Sequence, residues 1–238
     1  MNNYFALLIL LLAFNAEGQS TKSKIFAEAS LGLSIPARQF SNKTFLNYPN
    51  ENLNGNANIG PAINLLVGYC FEKNLGVLFQ IAGSLNKQNT GSLTRYYENL
   101  FAQSNSGDVL TSVTTNRWKM VKLMTGLFWG TPGNGSKKIS VNIRLLAGAV
   151  KTAIPEYGFT ASNPNGSFSS GVIYKINLPF SFCYNAGVGL KYLMFPKLYL
   201  TGDLSYFQST NKYKTVYRGP VKYSLSSVLP MVGVGYNF

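Results

Sequence analysis

The stretch ISVNIRLLAGAV, residues 139–150, sorts its side chains by parity. Ile139, Val141, Ile143, Leu145, Ala147 and Ala149 fall on one face; Ser140, Asn142, Arg144 and Gly148 fall on the other. An unbroken period of two predicts a β-strand with one apolar and one polar face. A helix would scatter the same residues around its circumference.

The parity returns along the chain. In 25–35, Ile25, Ala27, Ala29, Leu31, Leu33 and Ile35 oppose Phe26, Glu28, Ser30, Gly32 and Ser34. Residues 59–71, 75–86, 117–129, 179–193, 197–207 and 222–238 repeat it, which makes eight predicted strands. The connections alternate in length. Short ones fall at 72–74, 130–138 and 195–196, and long ones rich in Asn, Ser, Gly and Lys at 36–58, 87–116, 151–178 and 208–221. Such alternation predicts an up-and-down meander with both ends of the chain at the short-turn side. Within 87–116, the run from Arg95 to Phe101 reads either as a short helix or as an extension of neighbouring strands.

Composition narrows the solvent. Of 238 residues only 12% are charged, 14% are aromatic, and mean hydropathy is +0.04. Beyond the N-terminal run no stretch approaches the roughly 18 apolar residues a spanning helix needs. The net charge is +13, but Lys and Arg are scattered, with no basic helix and no zinc spacing, so nucleic acid is not an expected partner. Histidine is absent, which removes the usual general base and metal ligand together. No catalytic residue, cofactor site or metal site is predicted. An enzyme here would need a Ser-Lys or an Asp-only mechanism. Cys70 and Cys183 are read as free thiols that fill space.

Residues 5–14, FALLILLLAF, match the apolar core of an export signal. Cleavage is expected after Gly18, so residues 1–18 are read as a leader, 19–24 as a short segment and 25–238 as the folded unit. The first four residues depart from the pattern in carrying no Lys or Arg.

Periodicity alone does not choose between a barrel in lipid and a lipocalin-like barrel in water, which is the same pattern turned inside out. Three details favour lipid. The faces opposite the aliphatics carry Gly, Ser, Asn and charges, suited to a narrow filled lumen. Aromatics gather near strand ends, with Phe71, Phe128, Trp129, Phe195, Tyr236 and Phe238 at one end and Trp118, Tyr174, Phe180 and Tyr223 at the other, as interfacial girdles would. The chain also finishes VGVGYNF, and Tyr236 with Phe238 resembles the terminal signal by which barrel-insertion machinery recognises outer-membrane barrels. The expectation is an all-β, eight-stranded antiparallel up-and-down transmembrane barrel with short periplasmic turns and long extracellular loops, in a bacterial outer membrane. Pro61 and Pro230 fall inside strands, where each removes a ladder donor, so bulges or shifted boundaries are expected there.

Gly32-Leu33-Ser34-Ile35-Pro36 with Phe40, then Asn58-Ile59-Gly60-Pro61-Ala62, Gly68-Tyr69 and Leu75-Gly76-Val77, resembles the first hairpins of the Bacteroidota-type outer-membrane β-barrel domain family. The family's motifs are Gly and aromatic spacings rather than fixed chemistry. The resemblance implies a small barrel like that of outer-membrane protein A, with PorT-like barrels as a possible relative.

Parity turns five charges inward: Glu28, Lys122, Arg144, Lys191 and Asp203. A lysine facing lipid near mid-membrane would cost about 2–4 kcal/mol, so the inward register is favoured. The carboxylates are expected to pair with some of the cations in a lumen network, against the plainer reading of separately solvated side chains. Outside, Lys212, Lys214, Arg218 and Lys222 interleave with Tyr213, Tyr217 and Tyr223, a loop suited either to gripping lipopolysaccharide phosphates or to plain solvation. The functional expectation is a non-enzymatic envelope barrel that contacts lipid, lipopolysaccharide or a protein partner. A narrow gated pore, an accessory barrel of a secretion or gliding apparatus, and a soluble binder remain alternatives.

Overall fold

The structure, a computed structural model, describes residues 24–43, 52–53, 55–72, 74–104, 107–130, 138–173, 176–215 and 219–238. The predicted leader 1–18 lies outside the described residues, as does 19–24 apart from Lys24.

In chain order the strands are β1 (Ile25–Pro36), β2 (Asn52–Leu53), β3 (Gly60–Cys70), β4 (Leu75–Lys87), β5 (Val109–Thr115), β6 (Arg117–Gly130) and β7 (Ile139–Ile154). They continue with β8 (Tyr157–Ser162), β9 (Phe168–Ile173), β10 (Ile176–Asn177), β11 (Ser181–Leu193), β12 (Leu198–Thr215) and β13 (Gly219–Asn237). An α-helix, α1 (Thr90–Ser104), precedes β5, and a short 3-10 turn spans Arg38–Phe40. Eight of these strands, in the order β1-β3-β4-β6-β7-β11-β12-β13, are antiparallel neighbours, and β13 pairs back to β1. The barrel is closed.

Register fixes its shape. Following cross-strand partners from Phe26 through Gly68, Leu78, Gly126, Leu146, Asn185, Phe207 and Ser227 returns to β1 at Pro36, ten residues further up. At about 3.3 Å per residue and about 4.8 Å between strands, a stagger of ten over eight tilts the strands by roughly 40°.

The two faces decide the solvent. Large outward apolar side chains are exposed on every barrel strand, among them Leu31, Leu65, Ile81, Leu123, Leu145, Val188, Leu204 and Val232. So continuous an apolar exterior exceeds what a water-soluble monomer tolerates, whereas lipid accepts it. Inward lie Asn64, Asn142, Asn185, Lys122, Arg144 and Glu28, all buried. A lipocalin-like pocket would need the opposite arrangement, and that alternative is excluded.

Several expectations need correction. Trp118 and Phe128 do not belong to interfacial girdles; at 1% and 2% exposure both point into the lumen. Their parity, shared with Met120 and Met124, carried that information. Tyr223 is half-buried and stacks edge-on against Trp118 at 5.6 Å, and Tyr174 lies outside the described residues. The girdle at the short-turn end does hold exposed Phe71, Trp129, Phe195, Tyr236 and Phe238. Neither proline makes a bulge. Pro61 pairs with Leu33 and lies one residue beyond the last β3–β4 pair, Ala62 with Ser84. Pro230 pairs with Leu204, while the β1–β13 ladder skips from Gly32–Met231 to Ile35–Val228 without changing register.

The long connections are also more ordered than expected. The predicted loop 208–221 is mostly strand, because β12 runs on to Thr215 and β13 starts at Gly219. Segments 87–116 and 151–178 build a folded outer element: α1 and a three-stranded antiparallel sheet β5-β8-β9. Leu93 and Tyr97 of α1 and Ala161 of β8 are buried there, and the Tyr97 ring lies 4.5 Å from that of Phe159. That burial raises the Tyr97 phenol above its usual value, with a bond to Tyr157 opposing.

Inward glycines make room for inward rings. A Cβ on Gly68 would meet the Phe26 ring at 2.2 Å, and one on Gly235 would meet the Tyr199 ring at 2.2 Å. Gly235→Val should therefore push Tyr199 off its site and cost about 1–3 kcal/mol as overpacking. Urea unfolding of the vesicle-inserted barrel measures it, and an unchanged midpoint would contradict the packing.

Candidate functional site

The lumen is where the chain concentrates its chemistry. Arg144 on β7 reaches Glu28 on β1 with Nη2 to Oε2 at 2.9 Å, and Asp203 on β12 with Nη1 to Oδ1 at 3.0 Å. Lys191 on β11 donates to the other Glu28 oxygen at 2.5 Å. Tyr199 also donates its hydroxyl to that oxygen at 3.0 Å, and Arg144 Nε donates to Asn142 at 2.5 Å. Lys191 further sits over the Phe26 ring, 3.9 Å from its centroid. Two carboxylates and two cations make the cluster formally neutral.

Its position matters as much as its charge. β1 and β7 are four strands apart in either direction round an eight-stranded ring, hence diametrically opposite. The Arg144–Glu28 contact therefore crosses the full lumen. An eight-stranded interior is about wide enough for side chains to fill, and here a guanidinium spans it. Charges taken out of water need close partners and further hydrogen bonds, and each group in this cluster has both.

Lys122 stands apart. It is 1% exposed, and it lies over the Phe207 ring at 4.2 Å rather than against a carboxylate. A cavity of about 20 Å³, lined by both Lys122 and Arg144, lies in the lumen. That volume suits one or two waters. At the outer mouth a second plug closes the barrel. Trp118 Nε1 donates to the Gly55 carbonyl at 2.9 Å, Phe40 packs edge-on against the indole at 5.4 Å, and Leu178, Leu225 and Val150 are fully buried.

The structure thus brings together Glu28, Arg144, Lys191 and Asp203 and leaves Lys122 with an aromatic partner. Sequence reasoning missed Tyr199 and Asn142. Both share the inward parity of their strands with a network member, and that was the available signal. The basic segment near the outer end divides. Lys212 is exposed on β12 and pairs across the ladder with Lys222 on β13, while the Lys214 side chain and Arg218 lie outside the described residues. Tyr236 and Phe238 pack edge-on at 5.3 Å at the short-turn end. Cys70 and Cys183 are buried on inward positions of β3 and β11 and form no disulfide.

No family model matches the sequence, and no curated protein matches it. Among solved structures the chain is similar to Ail, the attachment invasion locus protein of Yersinia pestis, at 16% identity and a TM-score of 0.43, covering 92% of this chain and 100% of that one. It is also similar to Neisserial surface protein A, at 10% identity and 0.49, covering 92% and 100%. A third is the outer membrane protein OprG from Pseudomonas aeruginosa, at 12% and 0.48, covering 91% and 97%. The assignment of fold rests on the closed register rather than on these likenesses.

The cluster makes a two-sided prediction. Glu28→Gln leaves Arg144 and Lys191 under-compensated and should cost about 3–5 kcal/mol. Lys122→Met removes a buried charge with no carboxylate partner among the described residues and should be neutral or stabilising. Urea titration of both variants in vesicles would sink the assignment if the order were reversed.

Proposed function

We propose that the chain is a non-enzymatic integral protein of a bacterial outer membrane, of the Bacteroidota-type barrel family its first hairpins resemble. In this reading the barrel is an anchor, and the element built from α1 and β5-β8-β9 is what it presents outside, for contact with lipopolysaccharide or a protein partner. The observation that carries the reading is the lumen closed at two heights: the ion cluster across the diameter below, and the Trp118–Phe40 plug above. A barrel filled this way serves as a membrane anchor rather than as a conduit. The outer element supports surface contact, since it holds its own buried contacts and still exposes Val109, Phe168 and Val172.

Two measurements test this. Residues 19–238 refolded in detergent should migrate differently on a denaturing gel before and after boiling. In planar bilayers the protein should show no sustained open level, while Arg144→Ala combined with Trp118→Ala, which removes both closures, should show flickering conductance. Steady conductance in the unsubstituted protein would replace the anchor reading with a pore.

A further inference from the structure

Four cations face outward at the top of the apolar wall. Lys87 ends β4, Arg117 and Lys119 begin β6, and Lys151 lies on β7; all four are exposed. Register brings them together. Lys87 pairs with Arg117 across β4–β6, and Lys151 pairs with Val121, two residues along β6 from Lys119. Three adjacent strands span about 10 Å, so the four heads converge on one patch.

Their height is set by the same register. Ten residues separate Trp129 from Lys119 on β6, and ten separate Val77 from Lys87 on β4. At about 3.3 Å per residue and a tilt of roughly 40° this is about 25 Å, the height of a barrel's outward apolar band. Trp129 belongs to the lower girdle, so the quartet stands at the opposite edge, where hydrocarbon gives way to headgroups. Directly beneath lie exposed Leu85, Val121 and Leu123. Beside it, Lys151 approaches the Phe180 ring at 5.1 Å, and Phe180 is 71% exposed.

The patch is unbalanced. Like charges placed directly opposite across a ladder destabilise it, and among the described residues no carboxylate lies within salt-bridge distance of any of the four. On the far wall the outer end of β12 offers Gln208 and Thr210 at its outward positions, followed by exposed Lys212. The quartet is complemented by an anion held at headgroup level, with acyl chains running down the apolar wall below it.

We propose that Lys87, Arg117, Lys119 and Lys151 bind the phosphates of a lipopolysaccharide molecule in the outer leaflet, its acyl chains lying against Leu85, Val121 and Leu123. This rests on the outer-membrane reading above and places the headgroup on the β4-β6-β7 wall, not on the last hairpin. The test uses the full mature chain refolded in detergent micelles, with fluorescent lipopolysaccharide, the same lipid after phosphatase treatment, and inorganic phosphate as competitor. One variant combines Lys87→Gln, Arg117→Gln, Lys119→Gln and Lys151→Gln; a second combines Lys212→Gln and Lys222→Gln. Folding of each is checked by the heat-dependent gel shift.

The unsubstituted protein should bind intact lipopolysaccharide, more weakly as salt rises. The quartet variant and the dephosphorylated lipid should each weaken binding at least tenfold, and the hairpin variant should not. Undiminished binding by a folded quartet variant overturns the proposal. If the loss follows Lys212 and Lys222 instead, the headgroup docks on the last hairpin; this site falls while the outer-membrane reading stands. Displacement by millimolar inorganic phosphate would mark a free-anion site and overturn the lipid occupant. Absence of any heat-dependent shift in the unsubstituted protein would remove the membrane reading itself.

Discussion

A backbone in hydrocarbon has no water to bond, so every N–H and C=O must find its partner in a neighbouring strand. That constraint organises the rest of the molecule. It forbids an open edge, so β13 must return to β1, and it does so over Phe26–Asn237 through Pro36–Ser227. It also limits where proline can sit. Pro230 is tolerated where the β1–β13 ladder pauses for two residues and resumes in register, which keeps parity intact on both sides. A bulge there would have turned every later side chain of β13 to the wrong solvent.

Closure at eight strands then creates a second problem, an interior too narrow for bulk water and too polar for hydrocarbon. The chain fills it in layers. Low in the barrel, rings from one strand lie over glycines on the next, as Phe26 over Gly68 and Tyr199 over Gly235. The same two rings serve the ion cluster, since Tyr199 donates to Glu28 and Phe26 faces the Lys191 ammonium. Packing and electrostatics are therefore one arrangement here. Removing Glu28 leaves Lys191 against the Phe26 ring without its ion-pair partner and Arg144 with Asp203 alone. Removing Lys122 leaves only a ring uncovered, which is why the two substitutions should differ so widely.

The barrel was legible in the sequence because both of its faces are strictly sorted. Alternation located all eight strands, though β7 and β12 run on past their expected upper ends to Ile154 and Thr215, and it turned Glu28, Arg144, Lys191 and Asp203 inward. It could not pair them, since which inward residues meet across a lumen depends on the stagger of ten, a property of eight strands at once. The aromatic residues misled for a related reason. Trp118 and Phe128 lie near strand ends, as girdle residues do, but their parity is inward, and in a lumen parity outranks position along the strand. The long connections were least legible. Their helix and outer sheet answer to water on both sides, and β5 is joined to β8 by a pairing across more than forty residues of sequence.

Both outer segments leave the barrel from the same wall. The first runs from β4 to β6 and the second from β7 to β11, so α1 and the β5-β8-β9 sheet stand over the strands that carry the outward cations. Asn116, between β5 and β6, donates its N–H to the carbonyl of Glu156, between β7 and β8, at 2.9 Å, which ties the base of the outer element to the top of that wall. The far wall, β12 and β13, simply continues upward as a long hairpin. The barrel is thus symmetric where lipid surrounds it and asymmetric from the headgroup level outward. Hydrocarbon applies the same demand to every strand and leaves no room for difference; water and headgroups apply none, and there the chain is free to place its helix and its second sheet on one side.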